Sequence, residues 1–114
     1  MEILKIFLDK LKKQKTRILA WGLDKVIKNQ PECLEAYEKR GQLRESCKDI
    51  DGAIADYTRV IELDPESSKA YYNRGRLYQR QECLNAALSD LEQALAINPN
   101  LANAHEVRGT TLFE

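Results

Sequence analysis

Catalysis needs a base, a nucleophile or a metal held at short range, and few residues of this chain could serve. His105 is the sole histidine, and it occupies a position that aromatic residues fill elsewhere in the chain. It reads as a packing residue, which leaves Ser-His-Asp and Cys-His chemistry without a base. Cys33, Cys47 and Cys83 lie 14 and 36 residues apart and form no C-x-x-C pair, whereas zinc wants clustered thiolates and imidazoles. Gly41, Gly75 and Gly109 fall inside helical patterns rather than in a phosphate-cradling loop. Asp49, Asp51 and Asp56 read as a solvated acidic face. The sequence therefore predicts no catalytic residue, no metal site and no cofactor.

One basic run could bind an anionic surface. Lys10-Leu11-Lys12-Lys13-Gln14-Lys15-Thr16-Arg17 follows an apolar stripe of Ile3, Phe7 and Leu11, with Leu4 and Leu8 beside it. A helix of that pattern can lie on a membrane. The simpler expectation is a helix whose apolar face packs on the next helix pair, with its lysines solvated near the C-terminal end. Membrane binding is thus not expected, and one short basic run without interleaved aromatics is a small footprint for nucleic acid.

The elements that would position any site follow from size and pattern. The 114 residues suit one domain, able to bury roughly 60–70% of the unfolded surface. Charged residues make up 32% and aromatics 7%, which suits a thin fold whose elements are each wet on one side. Net charge is zero but uneven. Residues 1–30 hold eight Lys/Arg against three acids, so +5, and the remainder carries −5. No stretch approaches 18 apolar residues, so nothing spans a membrane. The segment Ile3–Leu8 is too short and too charged for a signal peptide. An odd number of cysteines without a framework points to reduced thiols and a cytoplasmic location.

The chain repeats. Its three prolines, Pro31, Pro65 and Pro99, are spaced 34 residues apart, and a fixed period takes precedence over element-by-element reading. At that offset Ala36-Tyr37 aligns with Ala70-Tyr71, Arg40-Gly41 with Arg74-Gly75, and Ala53 with Ala87. Asp56 likewise aligns with Asp90, and a third start follows at Ala104-His105 and Arg108-Gly109. Each unit reads as two amphipathic helices, with Tyr37, Gly41 and Arg44 on one stripe and Ala53, Tyr57, Val60 and Ile61 on the facing one. A mid-helix glycine costs about 1 kcal/mol against alanine, and close approach to the helix carrying Ala53 or Ala87 would compensate. Each proline stops a second helix, and Ser67 suits the N-cap of the next one.

The pattern Tyr37…Gly41…Ala53…Tyr57…Val60…Pro65, then Tyr71…Gly75-x-x-Tyr78…Ala87…Leu91…Ala94…Pro99, resembles the tetratricopeptide repeat. The departures are Arg40 and Arg74, where leucine is usual, and Arg44, where an aromatic is usual. The resemblance implies an all-α, right-handed solenoid of about three helix pairs plus a C-terminal helix, forming a single domain over 1–114. Residues 33–66 and 67–100 are the well-matched repeats. Residues 1–32 read as a degenerate first repeat with helices near 2–13 and 16–29, held at a looser angle by Phe7 and Leu19 at positions normally small. Residues 101–114 read as a capping or partial-repeat helix, near 102–112.

The resemblance also implies function: a non-enzymatic interaction module, an adaptor or co-chaperone-like scaffold, that binds a protein or peptide in its concave groove. Carried over by position, the first helices would present Lys39 and Gln42, beside Glu35 and Glu38. The next would present Lys69, Tyr72, Asn73, Arg76 and Arg80, and the last Asn103, beside Glu106 and Val107. Tyr72 and Arg76 are the expected anchors, since Tyr and Arg are enriched at binding hot spots. Members that clamp a chaperone's C-terminal carboxylate use Lys and Asn on the first groove helix, Asn on the second, and Lys and Arg on the third. Here those positions hold Glu38 and Gln42, Asn73, then Asn103 and Val107, so no such clamp is expected. Two other roles fit the ends of the chain: self-association through the exposed terminal helices near Leu112 and Phe113, or membrane attachment through the first helix.

Overall fold

The structure is a computed structural model that describes residues 2–112, all of whose regular elements are helices. They run α1 (Glu2–Asn29), α2 (Leu34–Ser46), α3 (Ile50–Leu63), α4 (Ser68–Arg80), α5 (Leu84–Ile97) and α6 (Ala102–Leu112). Each proline lies two residues past the end of α1, α3 or α5, where it ends the helix as expected. Successive helices pack α2 on α3, α3 on α4, α4 on α5 and α5 on α6, which is a solenoid.

The same local chemistry recurs at the repeat spacing. Ser67 Oγ accepts from the Ala70 N–H at 3.2 Å, and Asp49 accepts from the Gly52 N–H at 3.1 Å, each covering an orphan donor of a first turn. Cys33 and Cys83 occupy the equivalent N-cap sites and make no side-chain cap. Lys48 and Glu82, one period apart, both take left-handed φ values of 64° and 61° in the turn between paired helices. Tyr37 donates to the Pro31 carbonyl at 2.9 Å, and His105 Nε2 lies 3.0 Å from the Pro99 carbonyl. His105 is nonetheless exposed, which corrects its expected packing role: it pins the preceding turn rather than filling the core.

The core is a thin spine. Tyr37, Val60 and Ala70 form one cluster, Ala53, Tyr57 and Leu77 a second, and Leu91, Leu95 and Ala104 a third. Close approach of the paired helices explains the glycines. A Cβ at Gly75 would stand 3.1 Å from Asp90 Cβ and 3.3 Å from the Ala87 carbonyl, and one at Gly41 3.1 Å from the Tyr57 ring. Gly109, at the same repeat position in α6, has nothing within 4 Å.

The first 32 residues depart from expectation. In place of two helices near 2–13 and 16–29 stands one continuous α1 of 28 residues. The link Lys13-Gln14-Lys15-Thr16 contains no glycine or proline, and its residues mostly favour helix. Thr16 Oγ even bonds back to the Lys12 carbonyl at 2.9 Å. Phe7 and Leu19 hold no pair apart; both are exposed. Only the second half of α1 packs, with Thr16, Ala20, Leu23 and Ile27 half-buried on the side of α2, while every residue from Glu2 to Lys15 is exposed. The projecting helix raises the radius of gyration to 16.0 Å, against about 13 Å for a compact domain of this length.

α6 matches the expected terminal helix, and Leu112 is exposed. Phe113 lies outside the described residues.

Candidate partner-binding groove

The residues expected to line a groove lie on the first helix of each unit, α2, α4 and α6, with α4 in contact with both of the others. Lys69, Asn73, Arg76 and Arg80 follow one another at i, i+4, i+7 and i+11, which places them on one stripe of α4. At the N-terminal end of the stripe Lys69 and Asn73 from α4 meet Glu38 and Gln42 from α2, with Tyr57 and Ala70, in a narrow cleft that leaves no room for a water molecule. Lys39 and Asn103 are exposed and stand outside this cleft.

At the other end of the stripe the two arginines are already engaged. Arg76 Nη1 lies 2.5 Å from Glu45 Oε1, and Arg80 Nη1 lies 3.6 Å from the same oxygen. Glu45, on α2, was not foreseen from the sequence, because only the fold brings it beneath α4. Its other carboxylate oxygen accepts from the Tyr57 hydroxyl at 3.4 Å. Burial pushes the Tyr57 hydroxyl well above its ordinary pKa, and the Glu45 charge pushes it further the same way. At Arg76 burial is the largest single influence and opposes the charge, but the hydrogen bond and charge of Glu45, with Tyr72 and Tyr57, together outweigh it and the pKa is raised. Two guanidiniums on one carboxylate leave one positive charge in excess at this point.

Tyr72 is placed differently from expectation. It is half-buried and packs on the Leu91, Leu95 and Ala104 cluster, so much of its ring is spent on the seam between α5 and α6. The Arg76 guanidinium sits 6.0 Å from its centroid, at the outer reach of a cation–π contact.

A second polar array runs inside the solenoid. Arg40 Nε and Nη2 donate to both carboxylate oxygens of Asp56, the shortest at 2.7 Å, and Arg40 Nη1 reaches Asp24 at 3.0 Å. One period on, Arg74 grips Asp90 at 2.7 Å twice and donates to Thr58 at 3.2 Å. Asp56 is 1% exposed, which corrects its reading as part of a solvated face. Arg44 also reaches Asp56, at 3.2 Å. The Asp56 bond raises the Arg40 pKa against its burial, and the Asp90 bond does the same for Arg74. These arginines, the departures from leucine noted above, are structural clamps between helices.

Among the described residues no group of three metal-ligating side chains gathers, and no helix is long and apolar enough to cross a membrane. No curated protein matches the sequence. Among solved structures the chain superposes on MamA with a TM-score of 0.83 at 26% identity, covering 92% of this chain and 61% of MamA. It is also similar to YrrB, described as a tetratricopeptide protein with an unusual peptide-binding site, with a TM-score of 0.73 at 28% identity over 82% of this chain and 48% of YrrB. The first repeat domain of Spaghetti (RPAP3), solved with the HSP90 peptide SRMEEVD, gives a TM-score of 0.82 at 21% identity, covering 92% of this chain and 83% of that one; it speaks to the fold alone. Tetratricopeptide repeat family models match residues 48–110 and 23–68. The chain belongs to the tetratricopeptide repeat family.

Proposed function

We infer that the chain is a non-enzymatic protein-interaction module whose α4 stripe holds an extended peptide or a partner helix. Proteins of this family are generally non-catalytic interaction modules, and peptide binding in a structural neighbour supports the same use here. The observation that carries the reading is the α4 stripe itself. Lys69, Arg76 and Arg80 line one face, with Glu45 against the two arginines and Glu38 beside Lys69. A partner carboxylate near Arg80 gains a bidentate contact, while Asn73 and Gln42 offer amide bonds to an extended backbone. Lys39 and Asn103 belong to the rim of this surface. Tyr72 contributes a rigid edge rather than a free anchor.

Glu38 sits in the cleft with Lys69 and Asn73, where it repels a terminal carboxylate. The preferred ligand therefore carries its acidic residue internally and projects it toward Arg76 and Arg80. Selection from a displayed peptide library, followed by calorimetry, tests this. Peptides with an internal Asp or Glu should emerge, and Lys69→Glu/Arg80→Glu should weaken them by about tenfold or more. Unchanged affinity in that folded variant would contradict the assignment.

A further inference from the structure

α1 carries an apolar face that none of the described residues covers. Its packed stripe is Thr16, Ala20, Leu23 and Ile27. At 3.6 residues per turn, Ile3, Phe7, Leu11 and Ile18 lie about 180° away around the helix. Ile3 is 84% and Ile18 69% exposed, and Leu4 and Leu8 beside them are more than half or half exposed. This corrects the expectation that the apolar face would pack on the next helix pair: the solenoid takes the opposite side. Single exposed apolar residues are ordinary, but a continuous stripe of this length marks an interaction surface.

Charge selects the occupant. Within about 90° of the apolar stripe the charged residues are Lys10, Lys15, Arg17, Lys25 and Lys28, without one acid. Glu2, Asp9 and Asp24 all fall on the half of the helix turned toward α2, where Asp24 meets Arg40. A second copy placed face to face would oppose lysine to lysine with no carboxylate between. An anionic lipid surface meets every one of these cations and receives the apolar side chains between them. Trp21, 62% exposed and capped by Lys25 at 4.6 Å from its ring centroid, lies at the margin of the same face, where tryptophan suits the headgroup layer. We propose that α1 seats the protein on anionic membrane surfaces through its Ile3–Phe7–Leu11–Ile18 face, holding the solenoid and its groove toward the aqueous side.

Trp21 is the sole tryptophan, so the chain reports on itself. The full chain is titrated with phosphatidylcholine vesicles, with and without about 30 mol% phosphatidylglycerol, while Trp21 emission is followed. A blue shift should appear with the anionic vesicles, with partitioning about tenfold or more above neutral ones and falling with added salt. Phe7→Glu/Leu11→Glu should abolish the shift, and its urea midpoint should stay put because both side chains are exposed. Lys10→Glu/Lys15→Glu, which leaves the apolar side chains intact, should remove the preference for anionic lipid. No shift with either vesicle, or a shift that survives Phe7→Glu/Leu11→Glu, would overturn the proposal. So would a concentration-dependent doubling of mass without lipid that Phe7→Glu/Leu11→Glu abolishes, since a second copy would then own the face.

Discussion

Arg74 grips Asp90 through two 2.7 Å hydrogen bonds, Nε to Oδ2 and Nη2 to Oδ1, and Asp90 is almost completely buried between α4 and α5. Arg40 and Asp56 repeat the clamp one period earlier. Each arginine also reaches back sixteen residues, to Asp24 or Thr58, so it ties three helices where leucine would tie them by packing alone.

Removing one partner of such a pair strands the other. Asp90→Ala should cost about 3 kcal/mol in urea unfolding. Arg74→Leu/Asp90→Ala should cost less than Asp90→Ala alone, because no buried charge is then left unpaired. If the double change is as harmful as the sum of the two single ones, the clamp is not coupled.

Mid-helix glycines separate by what faces them. Gly75→Ala should destabilise by roughly 1–2 kcal/mol, since its Cβ meets Asp90 and the Ala87 carbonyl, neither of which can retreat. Gly22→Ala, with open space around it, should instead stabilise by about 0.5–1 kcal/mol through helix propensity. Opposite signs in thermal unfolding are the expected result.

The N-caps at Cys33 and Cys83 are unfilled. Cys33→Ser copies Ser67, and Cys83→Asp copies Asp49, each at its own repeat position. Each should add about 1 kcal/mol. A neutral result in both would mean the turn geometry, not the side chain, limits the cap.

Tyr57 makes the fold sensitive to alkali. Its folded pKa lies above the unfolded value of 10.0, so below pH 10 its contribution is fully present. Above that, the unfolded chain loses the proton first and stability falls, by up to about 1.4 kcal/mol per pH unit. Tyr57→Phe should flatten this alkaline limb in urea titrations between pH 9 and about pH 11.5. An unchanged slope would assign the limb to other groups.

Much of the fold was legible because the period of 34 fixes it: the prolines, the glycines facing the second helices and the Ser67 cap all stand where the pattern places them. The first helix was not. A period argument expects two helices there, while local propensity through Lys13–Thr16 favours one, and with few tertiary contacts to oppose it propensity prevails. The clamps were also present in the sequence, as Arg40/Asp56 and Arg74/Asp90 share both the period and a spacing of 16. Reading acids as solvated by default hid them. Glu45 had no such signature: its partners Arg76 and Arg80 come from a different helix, and only the superposition of α2 and α4 brings them together. For the same reason Tyr72 looked free, since its exposure depends on where α6 lies.

The most direct measurement of the groove assignment is an amide chemical-shift map of the folded chain titrated with a library-selected peptide. The expected shifts concentrate on α4 at Lys69, Asn73, Arg76 and Arg80, with Gln42 on α2, and Glu45 responds as its arginines re-pair. Shifts confined to α1, or to the α3 and α5 faces turned away from the groove, would contradict it.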